Sequence, residues 1–298
     1  MLNYQEFKEE VVGKIGNYLP QECKDAQVIL KPVQKINLEM DGLMLKCKES
    51  KYAPTVYLEN LYKHYLDNGG NLENVLKQLV DTMCSEGVNE QEMQSLFENL
   101  EEKIFWQVIN TEANKKLLSG IPHRTFEDLS IIYRVLVKSD SSGIGSFIVN
   151  NDAAGNFGLS EEKLYQLAKK NAKRLMKPTV RILSQVLAEC GYLSQEETDE
   201  AFMAEDMYVI SNSENINGAA CLLDEMVFQE LAKKTDSDLY ILPSSIHELI
   251  AVSVGDKNPE VLAEMVRAIN SSVVSPMEIL SDSVYYYCRS TRSIKRIA

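Results

Sequence analysis

The stretch "ILPSSIHELIAV", residues 241–252, sets two serines, a histidine and a glutamate within five positions, between aliphatic runs. Ser245, His247 and Glu248 are candidates for a hydrolase, but Ser244 or Ser245 stands too close to His247 in sequence to establish a triad. A nucleophile elbow needs G-x-S-x-G, and neither Ser244 nor Ser245 has flanking glycines. His247-Glu248 also begins a zincin motif, but the second histidine it requires is replaced by Ala251. A turn explains the same residues. Pro243 ends a strand, Ser245 caps the turn with Glu248 three positions later, and Leu249 resumes the sheet. The turn is the better account.

The second candidate is His123 in "IPHRTFED", beside Arg124, Glu127 and Asp128. Pro122 disfavours helix at Ile121, so these residues are expected on a loop leading into a strand from residue 129. A loop histidine near carboxylates suits a general base or a metal ligand, though its commoner role is a local hydrogen bond. Convergence of His123 and His247 on Asp128 or Asp282 would turn the balance towards catalysis. Of the aromatic residues, Trp106 and the run Tyr285–Tyr287 are read as sheet packing, with Tyr286 facing away from its two neighbours.

Regular elements must position these groups. Residues 3–19 read as an amphipathic helix closed by Pro20. Two short strands, at 28–30 and 43–45, are expected around a turn at Asp41-Gly42. Leu72, Val75, Leu76, Leu79, Val80 and Met83 form one apolar helical stripe. From residue 103 strands and helices alternate. "KIFWQVI", "LSIIYRVLV", "SFIVNN", "MYVIS", "LYIL", "LIAVSV" and "SVYYYC" read as strands. Helices are expected from Ser160 as N-cap, near 179–189, across 218–234, and from Asn258 with Leu262, Met265, Val266 and Ile269 on one face. Asn171 falls on an apolar face and must find hydrogen-bond partners there. "KSDSSGIG" reads as a hairpin loop; its Gly143-x-Gly145 pair lacks the third glycine of a dinucleotide fingerprint. The expected fold is α+β, a mixed and mostly antiparallel sheet with packed helices, preceded by a largely helical region. The organisation expected is 1–102, mainly helical with a small β element, and 103–298, an α+β domain.

Composition narrows the function classes. The 298 residues carry a net charge of −13. Segment 182–232 holds eleven acidic residues and no Lys or Arg, and 85–102 holds six acids and no base. Without a basic stripe, direct nucleic-acid binding is not expected. No stretch is long and apolar enough to span a membrane, and the amino terminus lacks the layout of a secretory signal. Six scattered cysteines without a C-x-x-C pair argue against a zinc or redox motif and for free thiols in the cytosol.

The segments "IPHRTFEDLSIIYRVLV", "MYVISNSENINGAACLL", "LYILPSSIHELIAV", "LSDSVYYYC" and the opening "YQEFKEEV" together resemble an uncharacterised family of gut Clostridia and related Firmicutes, classed as a domain of unknown function. The resemblance runs over almost the whole chain. The second half is also similar to another uncharacterised Firmicutes family with a histidine-containing turn between strands. The resemblance implies a bacterial cytoplasmic protein and brings no catalytic residues with it. The function expected is a non-catalytic, cytoplasmic protein-binding module with no cofactor and no metal. The alternatives are a metal-independent hydrolase using His247 or His123, and an acidic decoy inhibiting a nucleic-acid-binding protein.

Overall fold

The computed structural model describes residues 1–46, 55–84, 98–140, 143–192, 207–243 and 245–298. It divides into two compact units, Met1–Glu98 and Asn99–Ala298. The boundary falls a few residues before the change of texture at 103, because the helical turn Leu100–Lys103 belongs to the second unit.

In the first unit, helix α1 (Tyr4–Lys14) starts at a capping box in which Asn3 and Glu6 satisfy each other's backbone N–H groups. Strands β1 (Gln27–Lys35) and β2 (Leu38–Lys46) form an antiparallel hairpin, and β3 (Thr55–Tyr57) adds to β2. The β element is thus larger than expected. Its turn lies at Ile36-Asn37, not at Asp41-Gly42. Asn37 takes φ 63°, a left-handed conformation that asparagine tolerates. Asp41 instead sits mid-strand, where it accepts the Tyr4 hydroxyl at 2.9 Å and pairs with Lys8 at 2.6 Å. A side chain at position 42 would come within 2.6 Å of Val33 Cγ2, so only glycine fits. Helices α2 (Leu58–Asp67) and α3 (Leu72–Cys84) complete the unit. Leu58, Tyr65, Val75, Leu76 and Leu79 bury against Phe7, Val11, Leu43 and Leu45.

The second unit holds two sheets, and every strand pair among the described residues is antiparallel. In the first sheet, β6 (Leu129–Asp140) pairs with β4 (Ile104–Asn110) on one side. On the other it pairs with β5 (His123–Phe126) and then β7 (Gly143–Ile148). The second runs β13-β12-β10-β11-β9-β8, comprising β8 (Pro178–Ile182), β9 (Met207–Asn212), β10 (Leu239–Leu242), β11 (Leu249–Ser253), β12 (Tyr285–Cys288) and β13 (Ser293–Arg296). One face of the six-stranded sheet, with Leu239, Ile241, Tyr285 and Tyr287, shares a core with β4, β6 and helices α4 (Glu161–Leu175) and α5 (Glu225–Thr235). The other face, with Tyr240, Leu242 and Val252, packs Leu262, Ala263 and Val266 of α6 (Pro259–Ser272). Tyr286 joins that side, opposite Tyr285 and Tyr287.

Several expectations are corrected here. Residues 178–182 are a strand, since Pro178 lacks an N–H and β-branched Thr179 and Val180 suit pairing with β9; the helix begins only at Leu183. The helix expected across 218–234 breaks at Asp224 into a 3₁₀ turn, Gly218–Leu223, and α5, because Asp224 leaves helical geometry to accept the Met226 N–H. Gly143 and Gly145 lie in β7 instead of a loop. His123 and Arg124 lie in β5, closed onto β6 by a turn in which Glu127 takes φ 54°.

Candidate functional site

The turn after β10 is assembled from backbone outwards. Ser245, 6% exposed, accepts the His247 N–H at 3.0 Å. The hydroxyl therefore serves the residue two positions on, and Glu248 projects to solvent without closing the expected cap. Ile246 N–H donates to the Glu278 carbonyl at 2.9 Å, and Ser281 N–H to the Pro243 carbonyl at 3.0 Å, which tie the turn to the segment before β12. Ser244 lies outside the described residues.

His247 is held from the opposite side. Its carbonyl accepts Ser211 Oγ at 2.8 Å, and its Nδ1 accepts the Asn217 N–H at 3.3 Å. That amide needs Nδ1 unprotonated, so the neutral ring carries its proton on Nε2, which faces Glu278 Oε1 at 3.7 Å. Asn217 reaches this position through φ 56°. Gly218 then passes so close that an added Cβ would stand 2.2 Å from Ser211 Oγ and 2.4 Å from the His247 carbonyl. Ser245 Oγ and the His247 ring Nδ1 thus each accept a backbone N–H of this turn region.

His123 is exposed, with Nδ1 3.0 Å from the Ile121 carbonyl. Its neighbour Arg124 makes a bidentate pair with Glu161 (3.1 and 2.8 Å), reaches Glu162 at 2.5 Å and lies 3.9 Å over the Tyr165 ring. This fastens β5 to the first turn of α4. Asp128 accepts Ser281 Oγ at 2.7 Å, Ser283 Oγ at 3.3 Å and the Tyr285 hydroxyl. Burial, with the Asp128 carboxylate second, raises the Tyr285 phenol above its ordinary value. Asp282 is occupied by Asn270 Nδ2 at 2.8 Å. Among the described residues no hydrogen bond or ion pair joins His123 to His247, Asp128 or Asp282, and no hydroxyl or thiol bonds either ring. No three His, Cys, Asp or Glu side chains among them are grouped to hold a metal.

What sequence reasoning missed is a surface on α6. The helix buries Leu262, Ala263, Val266 and Asn270, so its inner face is turned past Met265 and Ile269. Asn270 draws the helix round, donating to the Ser281 carbonyl at 3.0 Å and to Asp282. Val261 (53% exposed), Met265 (48%) and Ile269 (45%) are left as an outward row, continued past the helix by Val273 (78%) and Met277 (40%). The five residues recur every fourth position, the spacing of a helix-packing ridge over 261–269. Glu264 lies next to the row, with Glu260 and Arg267 farther round the same exposed side of the helix. Of the acidic stretch 182–232, residues 193–206 lie outside the described residues, as do 85–97 of the shorter block.

No helix among the described residues is long and apolar enough to cross a membrane. The sequence over residues 4–289 matches the model of a family of unknown function, DUF5688. No curated protein and no solved structure matches the chain.

Proposed function

The chain thus belongs to DUF5688, and on the geometry above we propose that it is a non-catalytic protein-binding module whose docking surface is the row Val261, Met265, Ile269, Val273 and Met277. The carrying observation is that Val261, Met265 and Ile269 share the outward face of α6 and are followed by Val273 and Met277 in the turns after it, all five at least 40% exposed. Single exposed apolar residues are ordinary, but a contiguous row with a charged rim is the form of an interaction site. The occupant in this reading is a segment of another protein with an apolar helix face and basic flanks. The ridge spacing suits a helix laid across it, and Glu260, Glu264 and the net charge of −13 favour positive flanks over a second acidic copy of this chain. The hydrolase alternative has less support, since Ser245, His247 and Asp128 each serve a structural bond described above. In this reading the module works in the bacterial cytoplasm, where its five described cysteines remain thiols.

A photo-crosslinking residue at Met265, with one at exposed Lys116 as control, tests the proposal in the native host. The expected result is one protein captured from 265 only, which binds the purified chain and whose binding weakens with salt. Capture of a second copy alone, or the same products from both positions, would overturn it.

A further inference from the structure

A cleft of about 190 Å³ opens between the last two turns of α4 and the first turn of α5, separate from the apolar row. One wall carries Lys169 and Lys173, the other Asp224 and Glu225, with Trp106 between them and Met226 and Ala172 adding apolar surface. A smaller cavity, which shares Trp106, Ala172 and Asp224, leads inward towards Asn212 and Cys221.

Three features point to an occupant. First, Trp106 is 6% exposed and its indole N–H makes no hydrogen bond among the described residues, while the nitrogen itself still reaches solvent; the ring packs on Tyr165 at 5.7 Å. An accessible N–H without a protein acceptor is open to an acceptor in the cleft. Second, the two lysines and two carboxylates form no ion pair with one another, although they line the same cleft. Lys173 Nζ meets only Met226 Sδ, at 3.3 Å, and Asp224 is engaged by the Met226 N–H at 3.0 Å. Third, the volume is small. It falls below the roughly 300 Å³ at which drug-sized ligand sites begin and has room for about six waters. A nucleotide or folded peptide would not be enclosed by it.

The lining therefore asks for opposite charges on one small ligand. A simple anion would meet Lys169, Lys173 and the indole N–H but would be opposed by Asp224 and Glu225. A simple amine meets the reverse problem. We propose that this cleft binds a free α-amino acid, its carboxylate held by Lys169, Lys173 and Trp106 N–H, and its ammonium by Asp224 and Glu225. The inner cavity, about 20 Å³, has room for about one water, so the amino acid's side chain stays in the outer cleft.

Trp106 is the only tryptophan in the chain, so intrinsic fluorescence reports on the cleft directly. The standard L-amino acids are titrated one at a time up to about 10 mM, the weak end of specific affinity, with calorimetry on those that respond. The expected result is a saturable change for one or a few of them. Binding should weaken at least about tenfold for the matching acid without its amine and the matching amine without its carboxylate. Glu225→Gln and the pair Lys169→Gln/Lys173→Gln should weaken it by a similar factor; these side chains are exposed, so thermal melts should not move. The proposal is overturned if no amino acid gives both saturation and heat. It is equally overturned if inorganic phosphate or the deaminated acid binds as well as the amino acid, or if the charge variants bind as the parent does.

Discussion

Asp128→Ala separates a structural carboxylate from a catalytic one. Tyr285 and Ser281, at 0% and 1% exposure, both donate to Asp128, and Ser283 lies at the 3.3 Å limit. A hydrogen bond to a charged group contributes about 1.5–3 kcal/mol, and a buried donor left without its acceptor costs about 1–3 kcal/mol. Counting two strong bonds and nothing for Ser283, and allowing water to reach the partly exposed site, the loss is about 3 kcal/mol. For a unit of this size that lowers the melting temperature by about 6–12 °C. Tyr285→Phe, which removes a donor and leaves a carboxylate with other partners, should cost only about 1 kcal/mol. The double variant should recover at least about 1 kcal/mol relative to the sum. Urea unfolding followed by Trp106 fluorescence reads the second unit specifically, which matters because a chain of two units need not unfold in one step. A catalytic Asp128 would leave stability unchanged or raised when removed. An Asp128→Ala loss under about 1 kcal/mol, or a Tyr285→Phe loss as large as that of Asp128→Ala, would refute the assignment.

The turn and the titrating groups give further expected outcomes. Gly218→Ala should cost at least about 3 kcal/mol by overpacking against Ser211 and His247, whereas Ser245→Ala should cost about 1 kcal/mol for one backbone bond; both are read by the same melts. Hydrogen bonds from Ser290 and Thr291 bring the Cys288 thiol down to about 7, and burial pushes Cys221 up to about 12. Iodoacetamide should therefore label Cys288 fastest of the five described thiols, with a rate rising through neutral pH, and Cys221 only on unfolding; mass spectrometry of the labelled peptides checks this. The Tyr286 hydroxyl, and then the Arg289 N–H, hold the Asp238 carboxyl below its ordinary value. Its folded pKa is thus below the unfolded one, so its contribution is whole above about pH 4 and lost as pH falls through the folded value. Asp238→Asn should flatten the acid-side fall in stability of the second unit, measured by melts between neutral and strongly acid pH.

Long periodic elements were legible in the sequence because local rules and tertiary packing agree there. Ser160 accepts the Lys163 N–H, the stripe of α3 is buried, and Asn171 finds the Glu101 and Ile104 carbonyls at 2.7 and 2.9 Å. Turns formed by non-glycine residues were not legible. Asn37 and Glu127 take left-handed φ values without the Asn-Gly or Asp-Gly signature, and β5 was missed with them. The break at Asp224 and the strand Pro178–Ile182 depend on β9 and on a cap, which periodicity does not register. The exposed row on α6 was hidden for a related reason. Leu262, Met265, Val266 and Ile269 fit one arc, but the buried Ala263 and the polar Asn270 set the true inner face. At the turn, the residue types predicted a structural role for Ser245, while its partner, the His247 N–H, follows from backbone geometry alone.

The most direct measurement is the affinity of the partner captured from position 265 for the parent chain and for Ile269→Glu, with thermal melts in parallel. Ile269 is 45% exposed and the central one of the five residues, so a charge there should leave the melt unchanged. A central apolar contact turned polar should cost at least about 2 kcal/mol of binding, a loss of some thirtyfold or more. That loss at parent stability is the result predicted. Unchanged affinity for Ile269→Glu would contradict the docking surface.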